Sequence, residues 1–320
     1  MERHCAILTA VFAATFAASL LVGRLMFNPL HMNGLDETIL LYVRLPRAVA
    51  ASLAGAALAL TGVTFQNMFR NYLAGPGILG VTSGAAFGAA IAILALPPAP
   101  ALVQLSAFAF GLAATLLAYR LSRLVGRGTI ALILAGIVVT AFFSALLGLV
   151  KYLADPYNKL PMIVYWLLGS FAGTRWGDLA PAVGPMLAGV AAVLLMRWVL
   201  NLLSLSDEEA RALGLNVGRF RALGIVFATL AASASTSIAG MIAWVGVVSP
   251  HIARLIAGFD SRKLVPATAL VGAALLLFCD DLARTLSPSE LPLSVITNFV
   301  GAPILFAILI KRRGVYRVRD

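Results

Sequence analysis

Apolar runs long enough to cross a bilayer, about 20 residues each, recur along nearly the whole chain with short polar breaks between them. They fall near residues 5–27, 47–68, 77–97, 101–122, 129–150, 178–200, 219–238, 240–258, 264–283 and 292–310. This pattern predicts about ten transmembrane helices. The 240–258 run is the least clean, because Pro250 and His251 interrupt it. Met162 to Phe171 is apolar but too brief to span, and is expected to lie re-entrant or at the outer interface. The run from Cys5 to Val22 follows Arg3 and has the look of a cleaved signal peptide. It is read instead as an uncleaved first span, because the rest of the chain is itself membrane. The one long polar interruption, SLSDEEARALGLNVG at 204–218, reads as a helix. Ser206 or Asp207 can cap it, acids fill its first turn, and Gly214 can stop it. With no soluble domain, linker or alignable repeat, residues 1–320 read as a single transmembrane domain carrying one polar segment.

Composition agrees. The chain is 61% hydrophobic and 12% charged, with a mean hydropathy of +0.96. Ordinary soluble domains are about 45–50% apolar and about 25% charged, so lipid must accept the excess. Abundant Gly and Ala suit helices that approach closely without a hydrophobic force between them.

Charge then sets orientation. The net charge is +11, but the basic residues lie between apolar runs, so membrane topology explains them better than nucleic acid does. With the N-terminus inside, the inner segments hold seventeen of the 24 basic residues. They are Arg3, Arg70, Arg120, Arg123, Arg127, Arg197, Arg211, Arg219, Arg221, Arg254, Arg262, Lys263, Lys311, Arg312, Arg313, Arg317 and Arg319. The outer side keeps Arg24, Arg44, Arg47, Lys151, Lys159, Arg175 and Arg284. The expected topology is N-in, C-in, in a multi-pass inner-membrane protein. Cys5 and Cys279 lie apart in apolar stretches, which suggests neither a disulfide nor a metal site.

A few polar positions carry chemistry. Arg44 and Arg47, in Arg44-Leu45-Pro46-Arg47, and Arg284, after Asp280-Asp281, oppose the orientation rule. Pro46 stiffens the start of the second span and holds Arg44 and Arg47 at its outer mouth. Fixed outer cations suit acidic groups on an incoming partner; the plainer alternative is snorkelling toward headgroups. Gln66 to Gly80 breaks two spans at the inner face with Gly and Pro. Free backbone is tolerated there only beside protein or a water-filled cavity, so the segment is either a tight turn or part of a gate. The 204–218 helix is either a solvated connection or an element that docks into a partner's groove. His251 has no second histidine or carboxylate nearby in sequence and reads as structural.

What is missing narrows the function. The chain has no phosphate-cradling Gly-rich loop followed by Lys-Ser/Thr, so it cannot hydrolyse ATP by that route. An ion-coupled secondary transporter would place ionisable residues at mid-membrane, whereas Asp36, Glu37, Asp155, Asp178, Asp280, Asp281 and Glu290 fall near span ends. An intramembrane enzyme would need paired catalytic groups at depth, and none is evident.

Taken in order, Arg44-Leu45-Pro46-Arg47, Gln66 to Gly80 with Ser83-Gly84-Ala85, Glu209 to Gly214, Pro250 to Leu255 and Glu290-Leu291-Pro292 form a specific set. From about residue 40 to 312 the chain resembles the permease family of iron-siderophore, haem and cobalamin ABC importers of type II. The resemblance implies ten helices and a dimer, homodimeric or with a close paralogue, around a central path. It also implies two cytoplasmic ATPase subunits, a periplasmic binding protein, no cofactor and no enzymatic activity of the chain's own. Arg44, Arg47 and Arg284 match positions that pair with acids on the binding protein. Asn71 and Leu73 match the inner gate and Thr129 a second gate position. Ser206, Asp207, Glu208, Glu209, Ala210, Arg211, Leu213 and Gly214 match the segment that sits on the ATPase, and Met162 to Phe171 would belong to the outer part of the path. Ferric siderophore is the default cargo, ahead of haem, cobalamin and molybdate. The chain departs from the family at Tyr72, where proline is usual, which would narrow the inner gate. It departs also at Gly75, usually acidic, at Ile130, a hydroxyl in a relative, and at Ser249, often Val or Ile.

Overall fold

The computed structural model describes residues 2–23, 33–126 and 128–311, all helix, turn or loop. Arg24, Arg127, Arg312, Arg313, Arg317, Arg319 and the end of the first expected span lie outside these. Helix α1 covers Glu2–Leu21, α2 Gly34–Ile39, α3 Leu45–Phe69, α4 Val81–Ala95, α5 Pro100–Val125, α6 Thr129–Leu153 and α7 Lys159–Leu168. Beyond these come α8 Trp176–Leu195, α9 Arg197–Leu203, α10 Asp207–Ala212, α11 Val217–Ala239, α12 Val245–Ala257, α13 Ser261–Thr285 and α14 Leu293–Lys311. Six helical segments are long and apolar enough to cross a bilayer alone. The shorter α1, α4, α12 and α14 complete the ten spans, while α7, at ten residues, is too short to cross.

Helix α3 is the hub. It packs against α8, α11, α12 and α13, and 83% of its apolar window is buried, against 28% for those of α5, α6 and α8, which therefore face outward. Small residues permit the close approach. A Cβ on Gly55 would lie 2.2 Å from the Gly272 carbonyl oxygen of α13, and one on Gly62 would lie 1.6 Å from that of Gly246 in α12. A second group, α4, α5 and α6, is pinned by Phe87, Phe110 and Phe143, with ring centroids 5.1–6.4 Å apart.

Three sequence expectations need correction. The second span does not begin at residue 47: helix runs unbroken from Gly34 to Phe69. Asp36 caps its start through the Asn33 amide, 3.1 Å away. Pro46 would clash with an ordinary helical turn before it, and a wider π turn at Leu40–Arg44, closed by the Leu45 amide on the Leu40 carbonyl, absorbs the proline. Second, 240–258 is not one helix. Residues 240–244 are non-helical, and Pro250 sits inside α12 without breaking it. Third, the 204–218 segment is helical only over Asp207–Ala212, with Gly214 turning it at φ +83°.

Residues 71–80 likewise rise irregularly from the inner end of α3, so α4 and α12 are both half-length helices entered through non-helical backbone. From Ala74 to Gly80 that backbone is packed against protein, as lipid demands, while Asn71 to Leu73 stay exposed at the inner end. Leu79 is fully buried, Pro76 abuts Gly246 of α12, and Ile78 abuts Gly136 of α6.

Candidate functional site

At the outer end, Arg44, Arg47 and Arg284 gather around one small cavity. All three are buried, none more than 8% exposed, so headgroup snorkelling does not describe them. Arg47 grips two carboxylates with its planar fork. Nε and Nη2 donate to Asp280 at 2.8 and 2.9 Å, and Nη1 and Nη2 donate to Glu290 at 2.9 and 3.0 Å. Arg284 donates to Asp281 and, at 2.5 Å, to the Ser19 carbonyl at the end of α1. Arg44 donates to the Leu20 and Leu21 carbonyls at 2.9 and 2.7 Å. These lie among the last α1 carbonyls, which the helix cannot itself satisfy. The sequence shows Asp281 three residues before Arg284 but gives no sign that Asp280 and Glu290, more than two hundred residues away, are the partners of Arg47.

Near the outer face, α7 and the end of α11 border an apolar cavity of about 410 Å³ lined by Met162, Tyr165, Trp166 and Ser170. Gly240 lines it and Gly169 directly precedes the lining residue Ser170; both glycines have positive φ, and a Cβ on Gly240 would lie 2.4 Å from the Trp166 carbonyl oxygen.

At the inner end, Asn71 forms an Asx turn, its Oδ1 accepting from the Leu73 amide at 2.9 Å. Leu73 is 63% exposed. Thr129 starts α6 nearby in the fold, and the described link between the two is the packing of the 76–79 turn on α6. Tyr72 is held rather than loose. The Arg254 guanidinium lies 4.6 Å from its ring centroid, and His251 Nε2 lies 2.9 Å from its carbonyl oxygen. Arg254 also donates to Gln66 Oε1 at 2.5 Å. His251 thus serves the packing of this turn, as its isolation in the sequence suggested. Arg70, which ends α3, and Trp244, which precedes α12, are the non-glycine residues with positive φ among those described. Both mark the breaks where spans become irregular.

The polar segment is short and anchored. The Glu209 amide donates to Ser206 Oγ at 3.2 Å and the Ser206 amide to Glu209 Oε2 at 2.9 Å, a reciprocal capping box. Asp207 pairs with Arg221 of α11 at 2.8 Å and lies 3.8 Å from Arg70, next to the Asn71 turn. Ala210 is buried, while Glu208, Arg211 and Leu213 face outward. The Arg221 hydrogen bonds hold the Asp207 carboxyl below the usual carboxylate range. A depressed acid stabilises above its unfolded pKa, about 3.9, and that contribution disappears as pH falls through the lower folded value. Hydrogen exchange over 207–215, corrected for intrinsic rate, should therefore stay slow from neutral pH to about 4 and accelerate below it. Arg221→Gln should make it fast throughout.

Residues 6–311 match the FecCD transport family. The chain belongs to that family. A molybdate import system permease protein, MolB of Haemophilus influenzae, is 39% identical over 92% of this chain and 88% of its own length. The hemin transport system permease protein HmuU of Yersinia pestis is 37% identical over 96% and 93%. Other relatives are named for iron chelatin and vitamin B12. A solved inward-facing structure assigned to the metal-chelate type of ABC transporter superposes with a TM-score of 0.92 at 37% identity, covering 97% of this chain and all of that one. Like other FecCD members, this chain is a multi-pass permease of an ABC importer, and the fold expected from the resemblance is the fold observed.

Proposed function

We propose that this permease carries an iron chelate inward, with ATP hydrolysed by two separate cytoplasmic subunits, the cargo delivered by an outer binding protein, and a second permease subunit completing the path. The observation that carries the reading is α10, which presents Glu208, Arg211 and Leu213 outward while Asp207 ties it to α11 and to the end of α3 beside the Asn71 turn. A push on α10 reaches the inner turn through one ion pair and two residues of chain. Asn71, Leu73 and Thr129 then form the inner gate, and Tyr72 narrows it. Docking of the binding protein falls to Arg44, Arg47 and Arg284. Support for an iron chelate comes from relatives named for iron chelatin and hemin and from the apolar outer cavity, whose aromatic lining suits a bulky ligand.

The coupling role is tested by reversing Glu208 and Arg211 together, since neither caps the helix. Uptake in reconstituted vesicles should fall by about 5- to 150-fold, the usual range of a coupling free energy, while ATP hydrolysis persists. Unchanged uptake would refute it. Cargo is tested by uptake with the cognate binding protein. Transport of molybdate but not of radiolabelled ferric siderophore would overturn the iron-chelate assignment.

A further inference from the structure

The outer cluster contains an internal competitor for its own docking site. Around the cavity stand three guanidiniums, Arg44, Arg47 and Arg284, and within their reach three carboxylates, Asp280, Asp281 and Glu290. The acids are not equivalent. Asp280 is fully buried on α13, with no exposed side chain, whereas Glu290 is 24% exposed and rides on the 286–292 loop rather than on a helix. Asp280 is thus the fixed counter-ion of Arg47, and Glu290 is the one that can leave without stranding a charge in a dry interior. The cavity itself is about 170 Å³ and is lined by the three arginines and Glu290 together with Gly23, Ile39 and Val43. Nε of Arg284, a residue 6% exposed, is buried and has no hydrogen-bond partner among the described residues.

We propose that Glu290 is a stand-in for a carboxylate of the binding protein, and that docking exchanges one for the other. This rests on the reading of the three arginines as the docking site. The incoming carboxylate takes the Nη edge of Arg47 that Glu290 now holds. Charge favours exchange over simple addition. With Glu290 in place Asp280, Asp281 and Glu290 already face the three guanidiniums, and Asp36 acts on Arg44 as well; a further carboxylate beside them would bring like charges close in a poorly solvated pocket. Exchange also keeps docking reversible, because charge-assisted hydrogen bonds lost and regained on the same guanidinium nearly cancel. Glu290 is joined to the path. The Leu291 amide donates to the Ala283 carbonyl at 2.9 Å, and the Leu293 amide donates to the Gly169 carbonyl at 3.0 Å, beside the outer cavity. Release of Glu290 removes the side-chain hold on the segment that leads to Gly169, which directly precedes the cavity-lining Ser170, so arrival of the binding protein is felt next to the outer cavity.

Binding of the cargo-loaded binding protein to the permease–ATPase complex in nanodiscs, measured across a salt series, tests this. Glu290→Gln keeps the shape but removes one negative charge from the cluster. Affinity should rise several-fold, with a steeper loss in salt. Glu290→Asp, shorter and still charged, should fall between the two. An unchanged or weaker affinity in both variants overturns the exchange. Arg284→Gln and Arg44→Gln are measured alongside. If they lose binding while the Glu290 variants do not gain it, docking stands and exchange is wrong. If they bind as well as the parent, the docking reading itself fails.

Discussion

Gly62→Val is expected to remove nearly all correctly folded permease from the membrane, and Gly62→Ala to destabilise what remains. The cause is backbone against backbone. A Cβ at 62 would stand 1.6 Å from the Gly246 carbonyl oxygen, and a Cβ at 246 would meet Pro76 at 2.5 Å. No flexible side chain can yield, so α3 and α12 must separate, and with them the irregular 74–80 backbone that they enclose. Overpacking a core typically costs about 1–3 kcal/mol, and a contact limited by backbone belongs at the upper end or beyond. Small-residue contacts are also what holds membrane helices together. Gly184, on α8, has nothing within 4 Å of its would-be Cβ. Gly184→Ala should be neutral or gain up to about 1 kcal/mol from helix propensity. Thermal unfolding of detergent-extracted protein, followed by fluorescence-detected size exclusion, reads both. Equal melting for Gly62→Ala and the parent would show the α3–α12 apposition to be wrong.

Arg47→Ala should rank with it. The change strands Asp280, which has no exposed side chain, and breaking a buried pair from one side costs about 3–5 kcal/mol. Glu290 suffers less because its loop can turn it to water. Adding Asp280→Asn removes the stranded charge, so the double variant should recover most of the lost stability while still failing to bind the binding protein. If Arg47→Ala alone is stable, Asp280 is not held as a buried carboxylate. If the double variant is no better than the single, packing rather than charge explains the loss.

Much of the fold was legible because a bilayer imposes a length on every apolar run, and α5, α6, α11, α13 and α14 lie close to where that rule puts them. The errors have physical causes. Pro46 looked like a helix start because proline usually marks one, and nothing local reveals that a π turn will carry the helix through it. The 240–258 run opens on an apolar stretch, Gly240 to Val248, and composition alone does not separate a helix from irregular backbone there. In the polar segment the cap at Ser206, the acids of the first turn and the stop at Gly214 were all visible and are where the structure has them; only the flanks of the 204–218 stretch fall outside the helix. In the candidate site, Ser206, Glu209 and Gly214 were readable because their roles are local. The partners of Arg47, the hold of Arg254 on Tyr72 and the pairing of Asp207 with Arg221 were not, because they join residues distant in sequence or depend on which way a turn faces.

The Asx turn at Asn71 belongs to no helical ladder. Rotating Leu73 in or out of the path therefore breaks one side-chain hydrogen bond and no run of backbone ones. Such a flap can swing at a cost of about 0.5–1.5 kcal/mol for the bond released, close to thermal energy. On the gating role proposed above, traffic through the inner mouth would be decided by how firmly Arg254 and His251 hold Tyr72, and the catch, more than the flap, would set the leak of a resting importer.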